Sequence, residues 1–243
     1  MSYRCEVASV EGFVQQLACC YLPHGYWWYV TGRIPPRKDP RQVDRKLIER
    51  YGLDVSKRQR ARNKQLGIAG VQYLRHEHFF ILLATQGRHL FFGEERRRIR
   101  DFRKTPLKFR DYSISYRSGG RTRTGELDRK WHSHVQMCPE AYKVERAYFL
   151  ELALRKSVDD LIVEFRRVPF EPYAPLRRQL LNILRAVNVK RKQAARELVP
   201  TTALRLRRRI VRPYGTRDLG PTSVSSGNGP EGLSEEVEFA GLP

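Results

Sequence analysis

Long apolar runs are absent from this sequence of 243 residues. The longest run, residues 79–85, has the length of a strand, whereas a membrane-spanning helix requires roughly 18 apolar residues. The N-terminus also lacks the apolar segment of a secretory signal peptide. We therefore expect an intracellular, cytoplasmic protein with no membrane partner.

Cysteine is scarce, and its spacing excludes the common zinc-binding patterns. The four cysteines, Cys5, Cys19, Cys20 and Cys138, contain no Cys-x-x-Cys pair. Cys19 and Cys20 lie in an apolar stretch. Because a free cysteine packs as a small hydrophobic residue, we expect both to be buried thiols.

Several short enzyme motifs are also missing. The chain has no Gly-x-x-x-x-Gly-Lys-Ser/Thr loop, no Gly-x-Ser-x-Gly elbow and no His-Glu-x-x-His helix. These absences argue against a P-loop ATPase, a serine hydrolase of the elbow type and a zinc protease.

Acidic residues are few compared with basic ones. Lys and Arg number 47 and Asp and Glu 26, which leaves a formal net charge of +21. Residues 216–243 carry a net charge of −4 and are rich in Gly, Ser and Pro, so residues 1–215 carry +25. Such a charge attracts polyanions over long distances, and arginine, which outnumbers lysine, contacts phosphate bidentately.

This charge predicts nucleic acid as the partner. The basic residues occur in several separate clusters rather than on one amphipathic helix, which argues against binding to a membrane surface. The residues that we expect to contact phosphate are Arg58, Arg60, Arg62, Lys64, Arg121, Arg123, Arg207, Arg208 and Arg209.

Hydrophobic periodicity predicts an α+β protein in three parts. Residues 1–138 are expected to form an antiparallel sheet domain with flanking helices that binds nucleic acid, residues 139–215 a basic helical region, and residues 216–243 a disordered acidic tail. The predicted strands cover 25–34, 68–85 as one bent strand or two, 89–92, 112–117 and 131–137. The predicted helices cover 10–20, 40–52, 57–66, 139–155, 158–165 and 176–195.

Aromatic residues lie near cations in two of these strands, at 26–29, which Arg33 follows, and at 112–117, which ends at Arg117. Exposed aromatic rings beside cations can stack on unpaired bases. Because side chains alternate along a strand, Trp27 and Tyr29 should share one face and Trp28 the other, with at least one face packed in the core.

Four of the six histidines form two His-x-His pairs, His76 with His78 and His132 with His134. On a strand, residues i and i+2 share a face, so each pair would place two imidazoles together as the start of a divalent metal site. If the two strands are neighbours, all four imidazoles converge, and Cys138 could join them. The alternative is that these histidines are polar strand residues facing phosphate or solvent.

The segment His76-Glu77-His78, followed by Phe-Phe-Ile-Leu-Leu, resembles the His-hydrophobe-His strand of the rolling-circle replication initiators and single-tyrosine transposases. Strand 25–34 is similar to the first strand of those domains. The resemblance implies that the histidine pair binds Mg²⁺ or Mn²⁺, that the metal holds the scissile phosphate, and that a tyrosine attacks this phosphate. DNA is favoured over RNA as the partner, although the sequence does not distinguish the two. Glu77 stands where the family has an apolar residue. His132-Ser133-His134 is the other pair that fits.

The resemblance requires a tyrosine that can reach the metal. Tyr142 is our first choice because it follows the last strand on a helix, where such families often place theirs. Tyr116 is the second choice. Tyr148 shares a predicted helix face with Val144 and Leu152, so we expect it in the core.

Two functional hypotheses follow. The first is a protein of a mobile or plasmid element that nicks and joins single strands through a metal ion and a tyrosine. The second is a non-catalytic, basic DNA- or RNA-binding protein that needs no cofactor. The sequence leaves both open, together with the recognised site and the oligomeric state.

Overall fold

The computed structural model describes residues 3–119, 124–168, 173–204 and 211–214. These residues form two antiparallel sheets with helices between and around the strands, followed by three consecutive helices. The predicted α+β class with antiparallel sheets is confirmed.

The first sheet has the strand order β2-β3-β1-β4, with every neighbouring pair antiparallel. Its strands are β1 (Trp28–Arg33), β2 (Val71–His76), β3 (Phe79–Ala84) and β4 (Arg100–Asp101). The predicted strand 68–85 is thus two strands. His76 pairs with Phe79, which leaves Glu77 and His78 as a two-residue hairpin turn. Glu77 has the positive φ, 51°, that such turns use.

Both faces of this sheet are covered. Tyr29 and half-buried Trp27 belong to the larger of two hydrophobic clusters, whereas Trp28 packs with Val30 in the smaller one. The predicted division of these aromatic side chains between the two faces is therefore confirmed.

The helices of the first half begin at capping residues. They are α1 (Val10–Gln15), α2 (Pro40–Arg50), α3 (Lys57–Gln65) and α4 (Leu90–Glu94). Ser9, Asp39 and Ser56 cap the first three through side-chain oxygens that accept backbone N–H bonds. After α1 the chain continues as a π-helical turn, Gln16–Tyr21.

The π-helical turn overturns one prediction about the cysteines. Cys20 is exposed and Cys19 only partly buried, although we expected both in the core. A π-helical turn holds more residues than an α-helical turn, so it rotates the residues within it away from the apolar stripe that Phe13 and Leu17 begin.

The prediction of a strand over 89–92 is also wrong, because this segment begins helix α4. The Nδ1 atom of His89 accepts a hydrogen bond of 3.1 Å from the backbone N–H of Phe91, which caps the helix. The strand that returns along β2 is β3 instead.

The second sheet has the order β5-β6-β7 and contains β5 (Leu107–Phe109), β6 (Tyr112–Ser118) and β7 (Trp131–Met137). Phe102 joins it to the first sheet. Its N–H donates to the Trp27 carbonyl oxygen at 2.9 Å, and its carbonyl oxygen accepts from the Tyr116 N–H at 3.0 Å. These two bonds bring the start of β1 beside β6.

Three helices complete the described fold, α5 (Pro139–Arg155), α6 (Val158–Arg167) and α7 (Ala174–Gln193). Phe149 of α5 and Leu180 of α7 belong to the same hydrophobic cluster as Ile114 and Val135 of the second sheet. Gln179 of α7 also hydrogen-bonds to both backbone groups of Met137. Helices α5 and α7 therefore pack directly on β7.

In the described part of the chain, none of the helices combines the length and the apolarity that crossing a bilayer demands.

Candidate nucleic-acid interface

Helix α3 has the highest density of positive charge among the described helices. Its nine residues include five cations, which we call the α3 cations: Lys57, Arg58, Arg60, Arg62 and Lys64. No residue of this helix is buried and none is acidic. A short helix with no buried face gains little from tertiary packing, so its caps are what maintain it. At its start Ser56 accepts a hydrogen bond from the N–H of Gln59, and Gly67 follows its end in a left-handed conformation.

The α3 cations form no ion pair with any residue that the structure describes. Cations elsewhere in the chain do, for example Arg50 with Glu94 and Arg103 with Asp101. The four α3 cations that we predicted as phosphate contacts therefore carry charge that no described carboxylate neutralises.

Five other predicted phosphate contacts fall outside the described residues. These are Arg121, Arg123, Arg207, Arg208 and Arg209, and the whole of the predicted acidic tail, 216–243, falls outside as well. Their contacts with nucleic acid stay predictions.

His76 and His78 do not share a strand face, which corrects our expectation for this pair. His76 is the last residue of β2, and His78 lies in the hairpin turn. The buried ring of His76 bonds through Nδ1 to the carbonyl oxygen of Val7 at 3.0 Å, whereas His78 is exposed. The alternation argument failed because it requires an extended chain at both residues.

His132 and His134 do lie on one strand, β7, at alternate positions opposite Arg117 and Ser115 of β6. His132 is exposed and its Nε2 lies 2.8 Å from the Asp128 carboxylate. Nδ1 of His134 is buried and has no hydrogen-bond partner among the described residues. Burial, followed by the charges of Arg117 and Arg178, lowers the pKa of His134 below its ordinary value.

The two histidine pairs belong to different sheets, so they do not lie on neighbouring strands. Within the described ranges, no three His, Cys, Asp or Glu side chains are grouped so that they could hold a metal ion. Binding of Mg²⁺ or Mn²⁺ stays a prediction from the resemblance.

The two candidate tyrosines occupy different places. Tyr142 is half-buried on α5 and packs against the main hydrophobic cluster. Tyr116 is buried on β6, and burial raises its pKa, which disfavours the phenolate that attacks phosphate. Tyr148 is not in the core as we expected. It is 44% exposed and donates to Glu164, because the buried face of α5 contains Phe149 and Ala153 instead.

Three aromatic side chains stack where the two sheets meet, and a fourth lies beside them at a tilt. We call Trp131, Tyr116, Trp27 and Trp28 the aromatic stack. The ring of Tyr116 lies between Trp131, with centroids 5.7 Å apart, and Trp27, 6.0 Å away, and both pairs are inclined by 24°. Trp28 follows at 6.0 Å from Trp27 with a steeper inclination of 48°.

Arg103 lies over the inner end of this stack. Its guanidinium carbon is 4.4 Å from the ring centre of Trp27 and 5.1 Å from that of Trp28, which are cation–π distances. Asp101 holds the guanidinium through Nε and Nη2. Burial acts to raise the pKa of Asp101, but the hydrogen bonds from Arg103 outweigh it and the pKa is lowered.

The outer end of the stack borders a basic cavity of about 300 Å³. Its lining includes Lys104, Arg117, Ser115, Ser118 and Trp131, and no acidic residue. The sequence analysis missed Trp131, Lys104 and Arg103 as site residues. One sequence signal could have found Trp131. It directly follows Arg129 and Lys130, and an aromatic residue next to a cation was also the reason for selecting 112–117.

Comparison of the chain with protein-family models, with curated proteins and with solved structures finds no match.

Proposed function

We propose that this protein binds nucleic acid, preferentially DNA, through its basic surface, and that helix α3 supplies a principal set of phosphate contacts. One observation carries this proposal: the five α3 cations lie on a helix with no buried residue, and none of them has an ion-pair partner among the described residues. Such a helix contributes nothing to the core, so its composition is explained best by an anionic partner.

The charge of the whole chain supports the same conclusion. With +25 on residues 1–215, the protein attracts any polyanion, and each phosphate that it neutralises releases condensed counterions. Binding alone accounts for these features. The proposal therefore corresponds to the non-catalytic hypothesis, and nicking through Tyr142 or Tyr116 stays a separate prediction.

The test replaces four α3 cations with glutamine, which retains helix propensity, in the variant R58Q/R60Q/R62Q/K64Q. The matched control removes four exposed cations from α7 and the segment after it, in R177Q/R185Q/K192Q/R196Q. Affinity for a 20-base-pair DNA duplex is measured by fluorescence anisotropy at several salt concentrations.

We expect the α3 variant to lose affinity at least about tenfold more than the control at low salt. Its slope of log K against log salt should be shallower by about 0.9 for each lost phosphate contact. Equal losses in the two variants would contradict a specific role of α3. A wild-type affinity that does not change with salt would contradict nucleic-acid binding altogether.

A further inference from the structure

Trp131 is the most exposed ring of the aromatic stack. Tyr116 is only 7% exposed and Trp27 is half-buried, whereas Trp131 at the outer end is 45% exposed. One side of the Trp131 ring packs on Tyr116, so the rest of its surface faces outward. Leaving this much aromatic surface in water is unfavourable, and covering it with a flat apolar partner would recover that free energy.

Strand pairing and backbone hydrogen bonds connect the segments that carry the stack. Trp131 and Tyr116 are diagonal neighbours on paired strands, since Trp131 pairs with Ser118 and Tyr116 with Ser133. The Phe102 backbone ties Tyr116 to the segment that carries Trp27. Arg103 lies over the rings of Trp27 and Trp28 and also lines the cavity beside Trp131, so the 45% exposed ring of Trp131 is the one with the most surface open to a ligand. A preformed stacking surface loses little entropy on binding.

Positive charge lies in the cavity that Trp131 helps to line. Lys104 and Arg117 line the cavity beside Trp131, and neither forms an ion pair with a described residue. Arg117 is held by its Nε bond of 3.0 Å to the Ser115 hydroxyl, which leaves its terminal nitrogens to donate to another group. A flat ring beside two cations matches the chemistry of a nucleotide, with a base for the ring and a phosphate for the cations.

We propose that the outer face of Trp131 and the cavity beside it form a binding site for an unpaired nucleobase, with the adjoining phosphate bound by Lys104 and Arg117. This inference rests on the proposed function and adds the substrate class, a single-stranded segment of nucleic acid. Bases inside a duplex are already stacked, so only an unpaired base has a face to offer.

The test separates stacking from charge. Two single strands of 15 nucleotides are compared, oligo(dT) and a strand of the same length and phosphate number whose sugars are abasic. We expect the wild-type protein to bind oligo(dT) at least about tenfold more tightly. All three tryptophans of the chain belong to the stack, so binding of oligo(dT) should also quench the intrinsic fluorescence.

Variants at Trp131 test whether this side chain is responsible for the preference for oligo(dT). W131A should bind both strands with the affinity that the wild type shows for the abasic strand, whereas W131F should retain most of the preference because phenylalanine also stacks. K104Q/R117Q should weaken binding to both strands and keep the ratio between them. Thermal unfolding followed by circular dichroism checks that each variant is folded, and if W131A is not, the comparison of W131F with W131L replaces it.

The outcomes distinguish the two proposals. Equal wild-type affinity for oligo(dT) and the abasic strand would overturn the stacking site while leaving salt-dependent binding by α3 intact. A preference for oligo(dT) that persists in W131A would also overturn it. Failure to bind either strand or the duplex would instead contradict the proposed function.

Discussion

The arginines of this chain serve two purposes. Some are buried and tied to the fold, such as Arg75, whose Nε and Nη2 bond to Asp44, and Arg191, whose Nη1 donates to carbonyl oxygens at the end of α5. Others, such as Arg58 and Arg62 of α3, are exposed and have no described partner. A buried guanidinium is costly unless its donors are satisfied, so the first group specifies structure and the second is available to ligands.

The buried ion pair of Asp44 and Arg75 allows a prediction about a single residue. Asp44 also accepts a hydrogen bond of 2.6 Å from the Tyr73 hydroxyl. D44A leaves Arg75 and Tyr73 without this acceptor, and we expect it to lower the free energy of unfolding by about 3 kcal/mol or more. Urea denaturation measures the change.

The control for Asp44 is E151A, which removes the partner of Arg155 in an exposed pair. Exposed pairs contribute about 0–1 kcal/mol, so E151A should change stability little. If the D44A protein were as stable as the E151A protein, the buried pair would not contribute to the free energy of unfolding.

Helices α3 and α6 show how similar capping can have different consequences. Ser56 and Ser157 each accept a backbone N–H bond of 3.1 Å from the residue three positions later. Helix α6 buries Leu161 and Phe165, whereas α3 buries nothing. Local helix stability is therefore coupled to global stability in α6 but not in α3.

We predict that S56A and S157A separate these two cases. Each substitution should cost its helix about 1 kcal/mol. For S157A this loss should appear as a lower global unfolding free energy. For S56A it should appear only as faster amide hydrogen exchange within α3, with urea unfolding unchanged. A global loss in S56A would mean that α3 is coupled to the core.

For the whole molecule, the uneven distribution of charge is the dominant property. Residues 1–215 carry +25 and residues 216–243 carry −4. The acidic segment acts against phosphate in the long-range field, and its composition does not favour a packed core. In the proposed function, the field of the whole chain sets the strength of attraction to nucleic acid, and α3 and the aromatic stack are the points of contact.

Removal of residues 216–243 tests this balance. We expect the truncated protein to unfold at the same urea concentration and to bind non-specific DNA about twofold more tightly at low salt. A full-length variant with its five acidic residues, Asp218, Glu231, Glu235, Glu236 and Glu238, changed to amides should behave the same way if charge is the cause. A cooperative loss of stability on truncation would show that the segment packs on the fold.

Local rules were sufficient for much of the fold. Alternation along β1 placed Trp27 and Tyr29 on one face and Trp28 on the other, and Pro139 correctly marked the start of α5. These features depend on neighbours a few residues apart, so the sequence contains them. The sequence also determined the charge that makes nucleic acid the expected partner.

Other features required the folded chain. The turn at Glu77 and His78 has no glycine or asparagine to mark its place, so the sequence allowed one bent strand or two over 68–85, and the alternation argument placed both histidines on a strand. The aromatic stack joins residues from β1, β6 and β7 through the backbone bonds of Phe102. Only tertiary packing could bring together side chains so far apart in the sequence, because no local periodicity records which distant strands become neighbours.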